Sequence, residues 1–388
     1  MAPNGWLKTD LNPYIDIKHG FAFKSEYFRE EGEYVLLTPG SFYEPGGFRD
    51  QKSKTKYYVG DIPKGYLLSK GELLVAMTEQ AAGLLGSTLF VPSHDRYLHN
   101  QRLGLIQIKD KNGICPEFLY LTYNSQYVRK QIAEQSTGTK VKHTSPDKLK
   151  SVICLLPPLP EQRKIAKILS TWDKAISATE RLIDNSKQQK KALMQQLLTG
   201  KKRLLDDSGK SYDSEWRFST FSELFKVANN KKTQVKASEY LSEGKTPIVD
   251  QGKQLISGYT NNDEKYTELP VIIFGDHTRV VKWVNFAFAQ GADGTQVLKN
   301  TKLLNDKYAY YLLSDTDIPN LGYSRHMREL KEKDFKYPTD IREQERVASV
   351  LTNADKEIDL LEQQLADLKQ EKKALMQQLL TGKRRVKI

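Results

Sequence analysis

The sequence predicts an α+β chain in which two α/β domains are separated by two long helices, the helices packed as an antiparallel coiled coil in a pseudo-twofold arrangement. Three observations predict it. A twelve-residue string, Lys190 to Lys201, recurs unchanged as Lys372 to Lys383. Each copy closes a stretch of apolar residues with helical spacing. Upstream of each lies a different block that carries short β-type runs.

The repeat extends beyond the identical string, without gaps. At the same offset Glu161-Gln162 matches Glu343-Gln344, Ala166 matches Ala348, Leu169 matches Leu351, Asp173-Lys174 matches Asp355-Lys356 and Ile176 matches Ile358. In the second copy Val347, Leu351, Ala354, Ile358, Leu361, Leu365, Leu368, Leu375 and Leu379 fall at alternating steps of three and four, with one polar interruption at Lys372. The first copy follows the same spacing through Ile165, Leu169, Trp172, Ile176, Thr179, Ile183, Ser186, Leu193 and Leu197. It begins after Pro157-Pro158-Leu159-Pro160 and stops at Thr199-Gly200, the expected punctuation of a helix. A helix of this kind is roughly 55 to 60 Å long at ~1.5 Å per residue and cannot bury its apolar stripe alone. Pairing of the two as a coiled coil is the economical solution. The alternatives are a helix that merely caps its own domain and self-association through the same seams.

The segments expected are therefore a first domain over 1–158, a central helix over 159–203, a second domain over 204–340 and a C-terminal helix over 341–388. Within the domains, Tyr66-Leu-Leu-Ser, Glu72-Leu-Leu-Val-Ala, Leu103-Gly-Leu-Ile-Gln-Ile, Pro270-Val-Ile-Ile-Phe and Val280-Val-Lys-Trp-Val read as strands. Helices are expected over Pro116 to Gln131 and Lys307 to Leu313. Lys24-Ser25-Glu26-Tyr27 and Ala237-Ser238-Glu239-Tyr240 hint at common ancestry of the two domains.

Bulk properties narrow the function. The chain has 388 residues, a formal net charge of +12 and a pI near 9.3, which favour a polyanionic partner. Cys115 and Cys154 are the only cysteines and suggest neither a disulfide framework nor a zinc site, so a reduced, cytoplasmic setting is expected. No stretch approaches the ~20 consecutive apolar residues of a membrane span, and the N-terminus lacks a signal-peptide layout.

Readings as an enzyme find little. Asn12-Pro13-Tyr14 lacks one proline of the Asn-Pro-Pro-Tyr of amino-methyltransferases, and no Gly-rich cofactor loop accompanies it. Glu329-Leu330-Lys331 with Asp315 or Asp317 is too short a pattern to define a nuclease. His94, His99, His143, His277 and His326 lack metal-ligand spacing, and no phosphate-binding Gly-x-x-x-x-Gly-Lys-Ser/Thr loop exists. No catalytic residue and no metal ligand is expected.

Loops that combine cations, amides and hydroxyls with glycine suit contacts to DNA grooves and phosphates. In the first domain the candidates are Lys52, Lys54, Lys56, Gln80, Asn100, Gln101, Arg102, Thr139, Lys140 and His143. In the second they are Gln251, Lys253, Asn261, His277, Arg279, Thr295, Arg325 and His326. Candidates for helix pairing and subunit docking are Ile165, Leu169, Trp172, Ile176, Leu193, Leu197, Leu351, Ile358, Leu365, Leu375 and Leu379. The basic runs Lys201-Lys202-Arg203 and Lys383-Arg384-Arg385 suit either solubility or phosphate contact.

Pro-Pro-Leu-Pro-Glu-Gln-Arg-Lys-Ile-Ala before the helix and Ala-Leu-Met-Gln-Gln-Leu-Leu-Thr-Gly-Lys at its end closely resemble the conserved regions of type I restriction-modification specificity subunits. Gly20-Phe-Ala-Phe-Lys-Ser25, Gly71-Glu-Leu-Leu-Val-Ala, Asn100-Gln-Arg-Leu and Pro247-Ile-Val-Asp-Gln-Gly252 resemble phrases of the family's target recognition domains. The resemblance implies a non-catalytic subunit that binds a bipartite double-stranded DNA target, each domain reading one half-site and the helices fixing the spacer. It further implies two methyltransferase subunits and restriction/translocase subunits as partners, with S-adenosylmethionine, ATP and Mg on those partners and no cofactor on this chain. One departure stands out. Tyr337-Pro338-Thr339-Asp340 precedes the second Glu-Gln without the Pro-Pro pair, so a different hinge is expected there.

Overall fold

The structure is a computed structural model and describes residues 2–79, 83–322 and 324–388. Gln80, one of the candidate contacts, lies outside the described residues. The two repeat copies form helices over Leu159–Leu197 and Ile341–Leu380, of 39 and 40 residues. Both stop the same way. Gly200 and Gly382 adopt φ of +74° and +68°, a left-handed conformation that only glycine takes without strain, and the chain folds back to donate Lys202 N to Gln196 O and Arg384 N to Gln378 O.

By contact the chain divides into two units, Met1–Ala178 with Leu365–Ile388, and Thr179–Gln364. Each unit thus holds one α/β domain, the opening of the helix that follows it and the closing part of the other helix. In the first unit an antiparallel sheet has the order Ile15–His19, Leu103–Ile108, Leu73–Ala76, Thr88–Phe90. Leu103 to Ile106 is buried on both faces, Leu103 and Leu105 packing into one apolar cluster and Ile106 into another, which explains its unbroken apolar run. Gly104 is required in it: a Cβ there would meet Ile17 Cγ2 at 2.5 Å. A five-stranded sheet of short strands runs beside it, with Tyr97–Leu98 parallel to Tyr34–Leu36.

The second unit repeats this plan with other residues. Its sheet has the order Phe225–Val227, Thr295–Asn300, Val271–Gly275, Val281–Val284, and its smaller sheet again contains a parallel pair, Thr246–Val249 with Ala289–Gly291. The faint match noted between the domains corresponds to structure, since Ser25–Tyr27 and Ala237–Glu239 both form single 3-10 turns. The helix expected over Pro116 to Gln131 is two helices, Pro116–Tyr123 and Gln126–Gln135. Asn124 leaves the helix to bond Thr88 Oγ1 at 2.7 Å, and Ser125 caps the second segment through Val128 N. The later counterpart spans Asp306–Ser314, with Asn305 as its cap.

Each domain's core includes residues from both helices. Ile165, Leu169 and Leu379 pack with Trp6, Leu119 and Val152 in the first unit. Leu197, Met194 and Leu351 pack with Phe225, Leu298 and Tyr308 in the second. A helix that only caps its own domain therefore does not describe either copy. Of the pairing candidates, Ile165, Leu169, Leu197, Leu351, Ile358 and Leu379 are buried, and Trp172, Ile176, Leu193, Leu365 and Leu375 are half-buried.

Ion pairs fix an antiparallel course within each unit. Lys372 reaches Asp173 at 2.5 Å in the first, and its repeat equivalent Lys190 pairs with Asp355 in the second, where Lys187 also meets Glu362 at 2.6 Å. The polar interruption of the seam is thus half of a duplicated Asp–Lys contact. The helix openings are anchored alike. Gln162 accepts from Cys115 N and donates to the carbonyls of Gly113 and Pro157, while Gln344 accepts from Asn305 N and donates to those of Leu303 and Pro338. Loss of the Pro-Pro pair leaves this three-point anchor in place.

The basic runs turn out to be structural at their last residue. Buried Glu161 receives Arg385 Nε and Nη2 at 2.7 and 2.8 Å and Trp6 Nε1 at 3.0 Å. In the second unit Glu343 receives Arg203, at 2.8 Å from Nε, and Ser214 Oγ at 2.5 Å. Arg203 and Arg385 are therefore committed to carboxylates rather than to solvent or phosphate.

Candidate nucleic-acid interface

In each domain a short turn connects the parallel pair to the central strand. In the first it is the four residues His99 to Arg102, in the second the three residues Ala292 to Gly294. Backbone bonds hold three further segments against it. Phe21 N donates to His99 O at 2.9 Å, Gln101 N to Phe21 O at 2.9 Å, Met77 N to Arg102 O at 3.0 Å and Thr144 N to Met77 O at 2.9 Å. The second domain repeats the crossing: Ala292 N donates to Val235 O at 2.8 Å, Asp276 N to Gly294 O at 2.7 Å and His326 N to Asp276 O at 2.8 Å. Segments that are distant in sequence thereby meet at one edge of each domain.

Most candidates of the first domain gather at this crossing. Gln101 and Arg102 are exposed on the turn, while Asn100 is buried and its Oδ1 accepts from Arg102 N at 3.0 Å, shaping the turn. Thr139, Lys140 and His143 are exposed on a loop closed by mutual Thr137–His143 backbone bonds, and His143 pairs with Thr78 in a two-residue ladder. Glu79 turns inward, its Oε2 accepting from Gly83, Leu84 and Leu85 N at 2.8 to 3.0 Å. Lys52, Lys54 and Lys56 are exposed elsewhere, before strand Tyr57–Tyr58 of the smaller sheet, with the Lys56 ammonium 5.6 Å from the Phe28 ring.

In the second domain Gln251 braces the crossing. Its Oε1 accepts from His277 N at 3.0 Å, and its carbonyl accepts from Thr278 Oγ1 at 2.5 Å. Half-buried His277 meets Ser324 O through Nδ1 at 3.1 Å. Arg279, at φ +60°, directs Nη1 to Ile318 O at 2.8 Å. Thr295 and His326 are buried; the His326 ring bonds Asp276 O through Nδ1 at 2.9 Å and accepts Leu321 N at Nε2, organising the loop that carries exposed Arg325. Lys253 is exposed beside Gln251, and Asn261 is exposed on the far hairpin, where its Oδ1 accepts from Lys245 N.

Sequence reasoning missed two kinds of residue here. One is the buried cation Lys282, whose ammonium donates to Asp250 O at 2.7 Å and Gln254 O at 2.5 Å; burial lowers its pKa, and neighbouring Asp250 opposes that. Val280, Val281, Trp283 and Val284 are apolar on both faces of the strand, so no alternation in the sequence marks Lys282 as an inward position. The other is a brace where the sequence suggested a contact: His99, part of the polar segment His99 to Arg102, is buried with Nε2 on Leu103 O at 2.9 Å, its pKa pushed down by burial to about 4. Among the described residues no group of His, Cys, Asp and Glu could hold a metal ion, and no helix is long and apolar enough to cross a membrane. Asn12-Pro13-Tyr14 is a turn, with Asn12 N on Asp10 Oδ1 and Tyr14 N on Leu11 O.

Two α/β modules on one plan, each ending in polar loops gathered around a rigid turn, define a class of protein built for reading a macromolecule at two places. The model of the type I restriction modification DNA specificity domain matches the chain twice, over residues 3–186 and 213–370, and the chain belongs to that family. It is 26% identical over 359 residues to the putative type I restriction enzyme MjaX specificity subunit of Methanocaldococcus jannaschii, covering 85% of this chain and 83% of that one. It is 29% identical over 197 residues to the type I restriction enzyme EcoBI specificity subunit of Escherichia coli, covering 50% of this chain and 38% of the other. The fold is similar to that of the S subunit of a type I restriction-modification system from M. genitalium, with a TM-score of 0.62, 18% identity, and 98% and 99% of the two chains covered. This family supplies DNA recognition to a restriction-modification system, not its catalysis.

Proposed function

We propose that the chain binds a bipartite double-stranded DNA target, with the first domain reading one half-site and the second the other, and directs partner subunits to it. The observation that carries this reading is the repeated crossing: the same frame occurs twice and presents different side chains each time. Exposed Gln101, Arg102, Lys140 and His143 meet DNA in the first domain, and Lys253 and Arg325 in the second, with Gln251 and His277 bracing the surface. The lysines and arginines supply phosphate contacts and the amides supply readout of base edges. The chain acts in the cytoplasm.

Two methyltransferase subunits dock on this chain, which presents the repeated helix sequence twice; restriction/translocase subunits join them. S-adenosylmethionine, ATP and Mg belong to those partners. The long helices set the spacer between half-sites, since a helix of roughly 55 Å exceeds the ~34 Å of one turn of B-DNA. The test is a map of methylated adenines in cells that carry this chain and its partner subunits. Exchange of residues 1–158 for the corresponding domain of a relative is expected to change one half-site only; a change in both halves overturns the modular reading. Removal of one heptad from the central helix is expected to shorten the spacer or abolish binding.

A further inference from the structure

The two turns present different exposed side chains. The first domain presents Gln101 and Arg102, and the second, between the parallel pair and the central strand, presents Asp293. Asp293 is held firmly: its neighbour Ala292 donates to Val235 O at 2.8 Å, and Gly294, at φ +72°, accepts from Asp276 N at 2.7 Å. It stands at a pocket of about 370 Å³ lined also by Lys236, Ser238, Tyr240, Asp250 and Gln251. The two carboxylates there differ in availability. Asp250 accepts from Gly252 N at 2.8 Å and Ser257 Oγ at 2.5 Å and faces Lys282 at 3.7 Å, whereas Asp293 has no hydrogen bond or ion pair among the described residues.

A free carboxylate on the reading edge of a chain with net charge +12 works against phosphate binding. Its chemistry suits a donor on a base. Guanine shows only acceptors in the major groove, and adenine places its N7 acceptor beside the amino group, where a carboxylate is repelled and an amide such as Gln is matched. Cytosine offers the amino group alone. We propose that Asp293 is a specificity-determining residue of the second domain, accepting a hydrogen bond from the exocyclic amino group of a cytosine in the half-site that this domain reads. The inference rests on the reading of this edge as a DNA surface.

The experiment compares the wild-type chain with Asp293→Asn and Asp293→Gln, each assembled with its methyltransferase subunits, by selection from a randomised DNA pool and by binding to unrelated DNA. Asp293→Asn is expected to lower discrimination at one base pair of the second half-site by roughly five- to hundredfold, to leave the first half-site unchanged and to tighten binding to unrelated DNA. Asp293→Gln is expected to move the preference at that base pair toward adenine. Unchanged selectivity at every position overturns the inference and leaves bipartite reading intact, as does a fall in Tm with uniform loss of affinity, which marks a structural role. Failure of the wild-type assembly to select any sequence overturns the reading on which it rests.

Discussion

The two recognition domains share the strand order of one sheet and one crossing of backbone bonds, yet the side chains placed on that frame differ. Where the first turn is His99-Asn100-Gln101-Arg102, the second is Ala292-Asp293-Gly294. The helix anchors show the opposite balance, with Glu161 and Glu343, Gln162 and Gln344, Asp173 and Asp355 repeating side chain for side chain. The difference teaches which parts of the molecule answer to a constant neighbour and which to a changing ligand. Backbone bonds hold the turn in place whatever its residues are, so its side chains are free to vary.

The carboxylate clamps break the comparison most strongly. Glu161 is buried, and Arg385→Ala leaves it with Trp6 Nε1 still donating but without its cation, so the first unit is expected to lose stability, read as a lower midpoint in urea titration. Arg203→Ala leaves Glu343 with Ser214 in the same way and is expected to cost at least as much, since Arg203 is the more buried of the two arginines. Burial raises the Glu161 pKa, but the Arg385 and Trp6 hydrogen bonds outweigh it and hold the carboxyl below its ordinary value. Its stabilising effect is present above the ordinary carboxylate range and is lost as pH falls through the lowered pKa.

His99 sharpens the comparison at milder pH. Its folded pKa is about 4 against an unfolded value near 6.5, so the unfolded chain takes up the proton first as pH falls. Stability of the first domain is expected to drop by about 2 kcal/mol between pH 6.5 and 4, and His99→Gln to flatten that slope. The second domain's turn, Ala292 to Gly294, has no histidine and carries no such dependence there.

The smallest effect separates two tryptophans. Trp6 Nε1 donates to Glu161, whereas the buried Trp216 Nε1 has no hydrogen-bond partner among the described residues. Trp6→Phe is expected to lower stability by about 1–2 kcal/mol and Trp216→Phe to change it by less than about 0.5 kcal/mol, read from Tm shifts. Equal losses would show that packing of the indole, not its N–H, governs both sites.

Much of this organisation was legible in the sequence, because the helices carry a strict period and a verbatim repeat. The strands at Leu73, Leu103 and Val271 were legible from their apolar runs. The clamps were not. Arg203 and Arg385 sit in basic runs that look solvent-facing, and their partners lie more than a hundred residues away, a distance that no local pattern encodes. At the crossing, exposed Gln101 and Arg102 and buried Asn100 and His326 have similar polarity in sequence. Only the backbone bonds separate those that face outward from those that brace the turn.

Leu379, one residue from the end of the helix Ile341–Leu380, belongs to the core of the first domain. During synthesis the ribosome therefore releases the first domain with its hydrophobic interior unfinished, and completion waits until the final helix has emerged. The second domain receives Met194 and Leu197 from a helix already made. A truncation that removes Leu365–Ile388 would consequently damage the domain that was translated first.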